Sequence, residues 1–209
     1  MSPSGWRGGE GVTAETARAG LVDRIAGTLS DPRGAVRREI REAGEPRLFL
    51  YAFLASLLAV MTAIGEQAVA PNPEVTAEFS QWAATQAASG AFFRPLALYG
   101  VAGLMGLAAR RLGGVGEWRA TRAAVFWTAL AAAPFALILG LAGATLGAAT
   151  GLGASAAAAG HAAGAGLWAV ILAPGLAEAH GLSLGRGVAA MAAPAAAGLL
   201  LAGIAAALA

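Results

Sequence analysis

Charge is what this chain has least of. Only 12% of its 209 residues are charged, whereas 57% are hydrophobic. A soluble domain carries about a quarter charged residues, and one this apolar would expose large adhesive patches. A bilayer removes the problem by solvating the apolar surface. Cysteine is absent, which excludes a disulfide framework, a thiol nucleophile and any Cys-ligated zinc or iron–sulfur site. Lysine is also absent, so all 14 basic residues are arginine. With the abundance of Ala, this resembles the codon usage of a GC-rich bacterial genome. Aromatics are scarce at 7%. The net charge of +2 forms no basic soluble face of the kind that nucleic-acid binding requires. No nucleic-acid partner is expected.

What is present is Ala and Gly arranged in long apolar runs. These runs predict an all-α, polytopic bundle of about five transmembrane helices, at approximately 48–65, 91–109, 123–149, 156–177 and 187–208. Each approaches or exceeds the length needed to cross a hydrocarbon core. Small residues let such helices approach closely where lipid supplies no hydrophobic drive. Residues 1–28 are expected to form a mobile cytoplasmic segment, and residues 1–20 contain no signal-peptide-like apolar stretch. A short amphipathic helix precedes the spans. Ser30-Asp31-Pro32 reads as its start, a polar cap with Pro at the first helical position. Val36 and Ile40 then form one stripe, with Arg33, Arg37, Arg38 and Arg41 mostly off it. Such a helix is expected to lie in the interface against anionic headgroups.

Arginine placement orients the bundle. Eight arginines precede span one, four (Arg110, Arg111, Arg119 and Arg122) follow span two, and Arg186 follows span four; only Arg94 falls on the other side. The positive-inside rule makes the first side cytoplasmic. The N-terminus is then cytoplasmic and the C-terminus periplasmic, in a bacterial inner membrane. Arg94 is expected to snorkel to the headgroups beside Phe92 and Phe93.

The candidate chemistry is thin. The spans hold almost no ionisable residue at mid-depth, which argues against proton coupling or a charged catalytic centre. Glu178 and His180 sit at a boundary with no third ligand nearby. His161 is 19 residues from His180, about 28 Å along a helix, so the two cannot share a site within it. No nucleophile elbow, P-loop or dinucleotide fingerprint is present, and neither an enzyme nor a cofactor is expected. Gly143, Gly147 and Gly151, with Gly160 and Gly164, recur every four residues and suit close helix crossing within the chain. Pro134, Pro174 and Pro194 can kink three spans.

Three stretches carry a family resemblance: Leu-Ser-Asp-Pro-Arg at 29–33, RAAVFWTALAAAP at 122–134, and LWAVILAPGLAEAHGLSLGRGVAAMAAP at 167–194. Over residues 29–209 the chain resembles the bacterial branch of the Yip1 family, small membrane proteins with a cytoplasmic lead-in and five spans. The resemblance implies a location and a fold, with no established reaction, and puts Glu178, His180, Gly181 and Ser183 in a cytoplasmic loop. The expected function is that of a scaffold, assembly or membrane-organising factor. Its interaction face would hold Arg33, Arg37, Arg38, Arg41, Arg110, Arg111, Arg119, Arg122, Glu178, His180 and Arg186. Its partners would be the bilayer, anionic lipid headgroups and other membrane or cytoplasmic proteins. A small-solute permease or channel component is the alternative, and an intramembrane hydrolase comes last.

Overall fold

The computed structural model describes residues 20–208, and for residues 198–208 the helical backbone alone. The expected mobile segment lies outside the described residues up to residue 19. Residues 21–28 belong to a helix instead.

Every described element is helical. Two short helices lead in, α1 (Leu21–Ser30) and α2 (Pro32–Glu42). Helix α3 (Glu45–Val69) follows, then α4 (Pro73–Ala77), α5 (Phe79–Ala88), a π-helical turn (Ser89–Phe93) and α6 (Arg94–Arg111). Helices α7 (Trp118–Thr150), α8 (Ala154–His180) and α9 (Leu184–Leu208) complete the chain. Among the described residues, four stretches are long and apolar enough to cross a membrane: Glu45–Val69, Phe79–Arg111, Trp118–Thr150 and Ala154–His180. Helix α9, at 25 residues with no ionisable side chain after Arg186, occupies the place of the expected fifth. Each helix outruns its expected span because apolarity marks only the part in lipid, while backbone hydrogen bonding continues to the caps. The segment expected as a loop after span one is largely helical, and α5 continues through the π turn into α6.

The lead-in begins as its residues dictate. Asp31 caps α2, its carboxylate accepting from Gly34 N at 2.9 Å, and Pro32 takes the first turn. The stripe of Val36 and Ile40 forms, but it faces protein. Val36 is 0% exposed, and Ile40 packs on the same core. Gly175 of α8 makes this docking possible, since a Cβ there would come within 2.8 Å of Val36 Cγ2. The expected interfacial helix is therefore a docked one, packed on α7 and α8. By contrast, Phe49, Leu57, Met61, Phe92, Phe93 and Ile138 are exposed on the outside of the bundle, as lipid-facing side chains are.

Helices α7 and α8 form the most extensive contact in the molecule. They join through a tight turn in which Gly151 and Gly153 adopt φ of 74° and 48°, a region that side-chain-bearing residues enter at a cost. The four-residue glycine repeats serve this pair. A Cβ on Gly143 would meet Ala156 O at 2.6 Å, and one on Gly160 would meet Leu139 O at 2.4 Å. Backbone cannot yield as a flexible side chain can. Gly160→Leu should therefore lower stability by about 1–3 kcal/mol, the usual cost of overpacking, or more. Gly166→Ala, in the same helix with nothing within 4 Å of its Cβ, should hold or gain about 0.5–1 kcal/mol. Thermal unfolding in detergent compares the two; equal effects would refute the close-crossing account.

Candidate functional site

Two polar constellations stand at opposite ends of the bundle. The first is the end that carries the arginines. Glu39 of α2 is 1% exposed, deep in the docked face. A carboxylate so placed must be paired and hydrogen-bonded. Arg24 of α1 forms an ion pair with its Oε1, and Tyr51 of α3 donates to its Oε2 at 2.9 Å. Arg47 also bonds to Tyr51 and lies 3.9 Å from Glu39 Oε2. The Arg24 guanidinium sits 4.9 Å from the centre of the Trp127 ring. The indole N–H of Trp127 donates to Thr28 at 3.0 Å. Trp168 of α8 in turn donates to Thr128 of α7 at 3.1 Å. Five helices are thus tied through one buried carboxylate and two indoles. Glu39 belongs to this core, whereas its neighbours Glu42 and Glu45 are exposed.

The passage at 175–181 is structural in detail. Gly175 admits Val36. Glu178 accepts from Arg37 Nε at 2.7 Å, a bond that raises the pKa of Arg37 and keeps it cationic. His180 is buried, and its Nε2 is hydrogen-bonded to Thr121 Oγ1 at 2.8 Å. Its carbonyl accepts from Val115 N at 3.1 Å. Gly181 ends α8 in the left-handed region, at φ 65°. Gly116 lets the 112–116 loop lie on this helix end, because a Cβ there would meet Ala179 O at 2.1 Å.

The predicted interaction residues therefore divide. Arg37 pairs with Glu178 and Arg122 with Glu45. Arg119 donates to Ala43 O at 3.0 Å, and Arg110 stacks 4.0 Å from the Trp118 ring centre. Arg33, Arg41, Arg111 and Arg186 are exposed and Arg38 half-buried, with no acidic partner within ion-pair distance among the described residues.

The second constellation is at the far end. A cavity of about 650 Å³ lies between α3, α6, α7 and α8, open rather than sealed. Alanine is its commonest lining residue, with Trp168 at its inner end, the hydroxyls of Ser56 and Thr62 bonded back to their own helix, and four further polar groups: Glu66, Gln86, Arg94 and His161. His161 Nε2 comes to 3.1 Å from Glu66 Oε1, an ion pair by distance. The alignment is poor, however, and that buried oxygen receives no hydrogen bond. Arg94 turns inward and donates to Gln86 at 3.3 Å. It does not snorkel outward beside Phe92 and Phe93, which are 73% and 69% exposed. The wide π turn at Ser89–Phe93 places the aromatics outside and the following Arg94 inside. A second hollow of about 590 Å³ shares Ala63 and Glu66 with the first. No group of three or more His, Asp or Glu side chains able to hold a metal occurs among the described residues. His161 and His180 are at opposite ends, as their spacing requires.

The two kinds of ion pair should respond differently to mutation. Glu39→Ala removes a buried carboxylate, strands the half-buried Arg24 guanidinium and should cost about 3–5 kcal/mol. Arg37→Ala breaks a pair whose arginine is mostly in solvent and should leave the melting temperature nearly unchanged. A Glu39→Ala protein as stable as the parent would refute the tie.

No curated protein and no solved structure matches the chain. The family model of the Yip1 domain matches residues 26–207. That match runs from α1, through the buried Glu39 tie and the 175–181 passage, into α9, and the chain accordingly belongs to the Yip1 family.

Proposed function

We propose that this Yip1-family membrane protein is a non-catalytic, multi-pass protein of the bacterial inner membrane that acts as a scaffold, assembly or membrane-organising factor through its cytoplasmic face. One observation carries the reading: five arginines with neither an ion-pair nor a hydrogen-bond partner among the described residues (Arg33, Arg38, Arg41, Arg111 and Arg186) gather at one end of the bundle. The helices that present them are fixed in place. Arg33, Arg38 and Arg41 sit on α2, which is held by the Glu39 tie, and Arg111 precedes the loop packed on His180. A fixed array of guanidinium groups beside membrane spans attracts anionic headgroups, at about 1 kcal/mol per arginine near the surface. The positive-inside rule makes that end cytoplasmic.

A through-path for solute has less support. Toward the arginine end, Trp127, Phe126, Tyr51, Leu172 and Leu176 fill the core, so the far-end cavity ends blind.

Orientation can be read directly because the chain has no native cysteine. Val115→Cys, at a position 88% exposed, should resist a membrane-impermeant thiol reagent in intact cells. Leu152→Cys, in the opposite turn, should label. The reversed pattern would overturn the topology. Replacing Arg33, Arg41, Arg111 and Arg186 with Gln should reduce the anionic lipid that co-purifies with the full chain, and the parent should lose the same excess in high salt. An unchanged lipid profile by mass spectrometry would refute the basic-face reading.

A further inference from the structure

The far-end cavity has a composition that bundle packing does not require. Its volume of about 650 Å³ falls within the range of sites that hold small organic ligands, about 300–1,000 Å³. Its depth follows from helix geometry. Glu66 is 21 residues from Glu45, Arg94 is 17 from Arg111 and His161 is 19 from His180, or about 26–32 Å from the arginine end at 1.5 Å per residue. That span matches a hydrocarbon core of about 30 Å, so the polar groups stand at the opposite headgroup level. Trp168, 12 residues from His180, lies only about 18 Å from the arginine end. The cavity thus descends from the headgroup level to mid-bilayer, polar at the rim and apolar below.

Its polar atoms are incompletely matched by protein. Arg94 has a neutral amide, Gln86, as its hydrogen-bond partner and no carboxylate within ion-pair distance among the described residues. A guanidinium in that state favours a planar or tetrahedral oxyanion, which it can grip with two N–H groups. Glu66 Oε1 is buried and receives no hydrogen bond, although His161 Nε2 lies 3.1 Å away out of alignment. An orphaned carboxylate oxygen favours a cationic donor. Below the rim, Ala59, Ala133, Ala165 and Trp168 offer apolar surface with no further charge.

We propose that this cavity binds a single-chain amphiphile whose zwitterionic head carries an oxyanion beside an ammonium, of the phosphoethanolamine type. The oxyanion sits on Arg94, the ammonium on Glu66, and the chain runs down the alanine wall to Trp168. The oxyanion gives Arg94 the anionic partner it lacks, and the ammonium joins His161 at Glu66 Oε1 and supplies the hydrogen bond that His161 does not. The site is separate from the arginine end and independent of the scaffold reading.

The test uses the purified full chain in maltoside micelles, with a brominated-chain lysophosphatidylethanolamine as probe. The parent is compared with Trp168→Phe, so that the difference isolates Trp168 quenching. Saturable quenching of Trp168 is expected. Arg94→Gln should weaken it about tenfold, the worth of one charge-assisted hydrogen bond. Ala133→Phe, which fills the chain pocket, should abolish it. Glu66→Gln should weaken the ethanolamine probe while sparing a brominated lysophosphatidylglycerol, which lacks the ammonium. Helicity and melting temperature report whether each variant folds. If a variant does not fold, the parent's response to the head-only and tail-only probes decides. Quenching by a brominated fatty-acid methyl ester equal to that by the full probe would mean ordinary partitioning and overturn the site. Displacement of the probe by phosphoethanolamine at an equal concentration would mean a free head-group site and overturn the amphiphile. Equal affinity of the parent for the glycerol and ethanolamine probes would overturn the role of Glu66.

Discussion

A carboxylate at 1% exposure fixes the arginine end of this protein. Glu39 cannot stay charged in that position without partners, and the partners come from three other helices. Arg24 reaches it from α1, Tyr51 and Arg47 from α3, and Trp127 of α7 supports Arg24 from beneath. The charge requires α1 and α2 to dock, and docking holds α3 against α7. The net contribution of such a network to stability is small, because desolvation offsets much of the attraction. Its effect is to make one arrangement of the lead-in far better than its neighbours.

The composition that places the chain in a membrane shapes the bundle in two opposite ways. Where glycines face backbone, as at Gly143 and Gly160, they allow α7 and α8 into direct contact. Where alanines face one another, as at Ala59, Ala133 and Ala165, their short side chains leave the space between helices unfilled. Close contact and cavity are both products of small side chains. Which results depends on whether the adjoining helix can approach. The larger side chains that line it from α6 and α8, Leu98, Val101 and Trp168 among them, leave about 650 Å³ unfilled.

The fold was largely legible in the sequence, and for stated reasons. Long apolar runs predict helices in lipid, and the cap at Asp31 marks the start of α2 without reference to tertiary structure. Gly-x-x-x-Gly spacing points to α7 and α8 because both glycine faces must meet a close neighbour. What the sequence conceals is partnership across distance. Val36 and Ile40 form the same stripe whether the helix lies on lipid or on protein, and the choice depends on Gly175, some 140 positions later. Glu39 resembles its neighbours Glu42 and Glu45 until Tyr51 is seen beside it. The cavity was hidden for the same reason. Glu66, Arg94 and His161 each occur singly near the end of a different helix, where a boundary role suffices to explain any one of them. Only the bundle brings them to one rim.

The two ends leave different kinds of polar group unmatched, and the difference bears on function. At the arginine end the buried carboxylate and carbonyl are matched within the chain, Glu39 by Arg24 and Tyr51 and the His180 carbonyl by Val115, while Arg24 Nε, Arg122 Nε and His180 Nδ1 are buried without a hydrogen-bond partner. Of the arginines there without an acidic partner, Arg33, Arg41, Arg111 and Arg186 are exposed, and water or headgroups satisfy them at little cost. At the far end the leftover atom is a buried carboxylate oxygen of Glu66, which has His161 Nε2 at 3.1 Å but receives no aligned hydrogen bond. An unsatisfied buried group costs about 1–3 kcal/mol, and an alanine at position 66 would avoid that cost without altering the close contacts at Gly143 and Gly160. Stability alone therefore does not account for Glu66 in the cavity wall. A bound group that supplies the missing donor does, and the unmatched Arg94 on the same rim requires that group to carry the opposite charge as well.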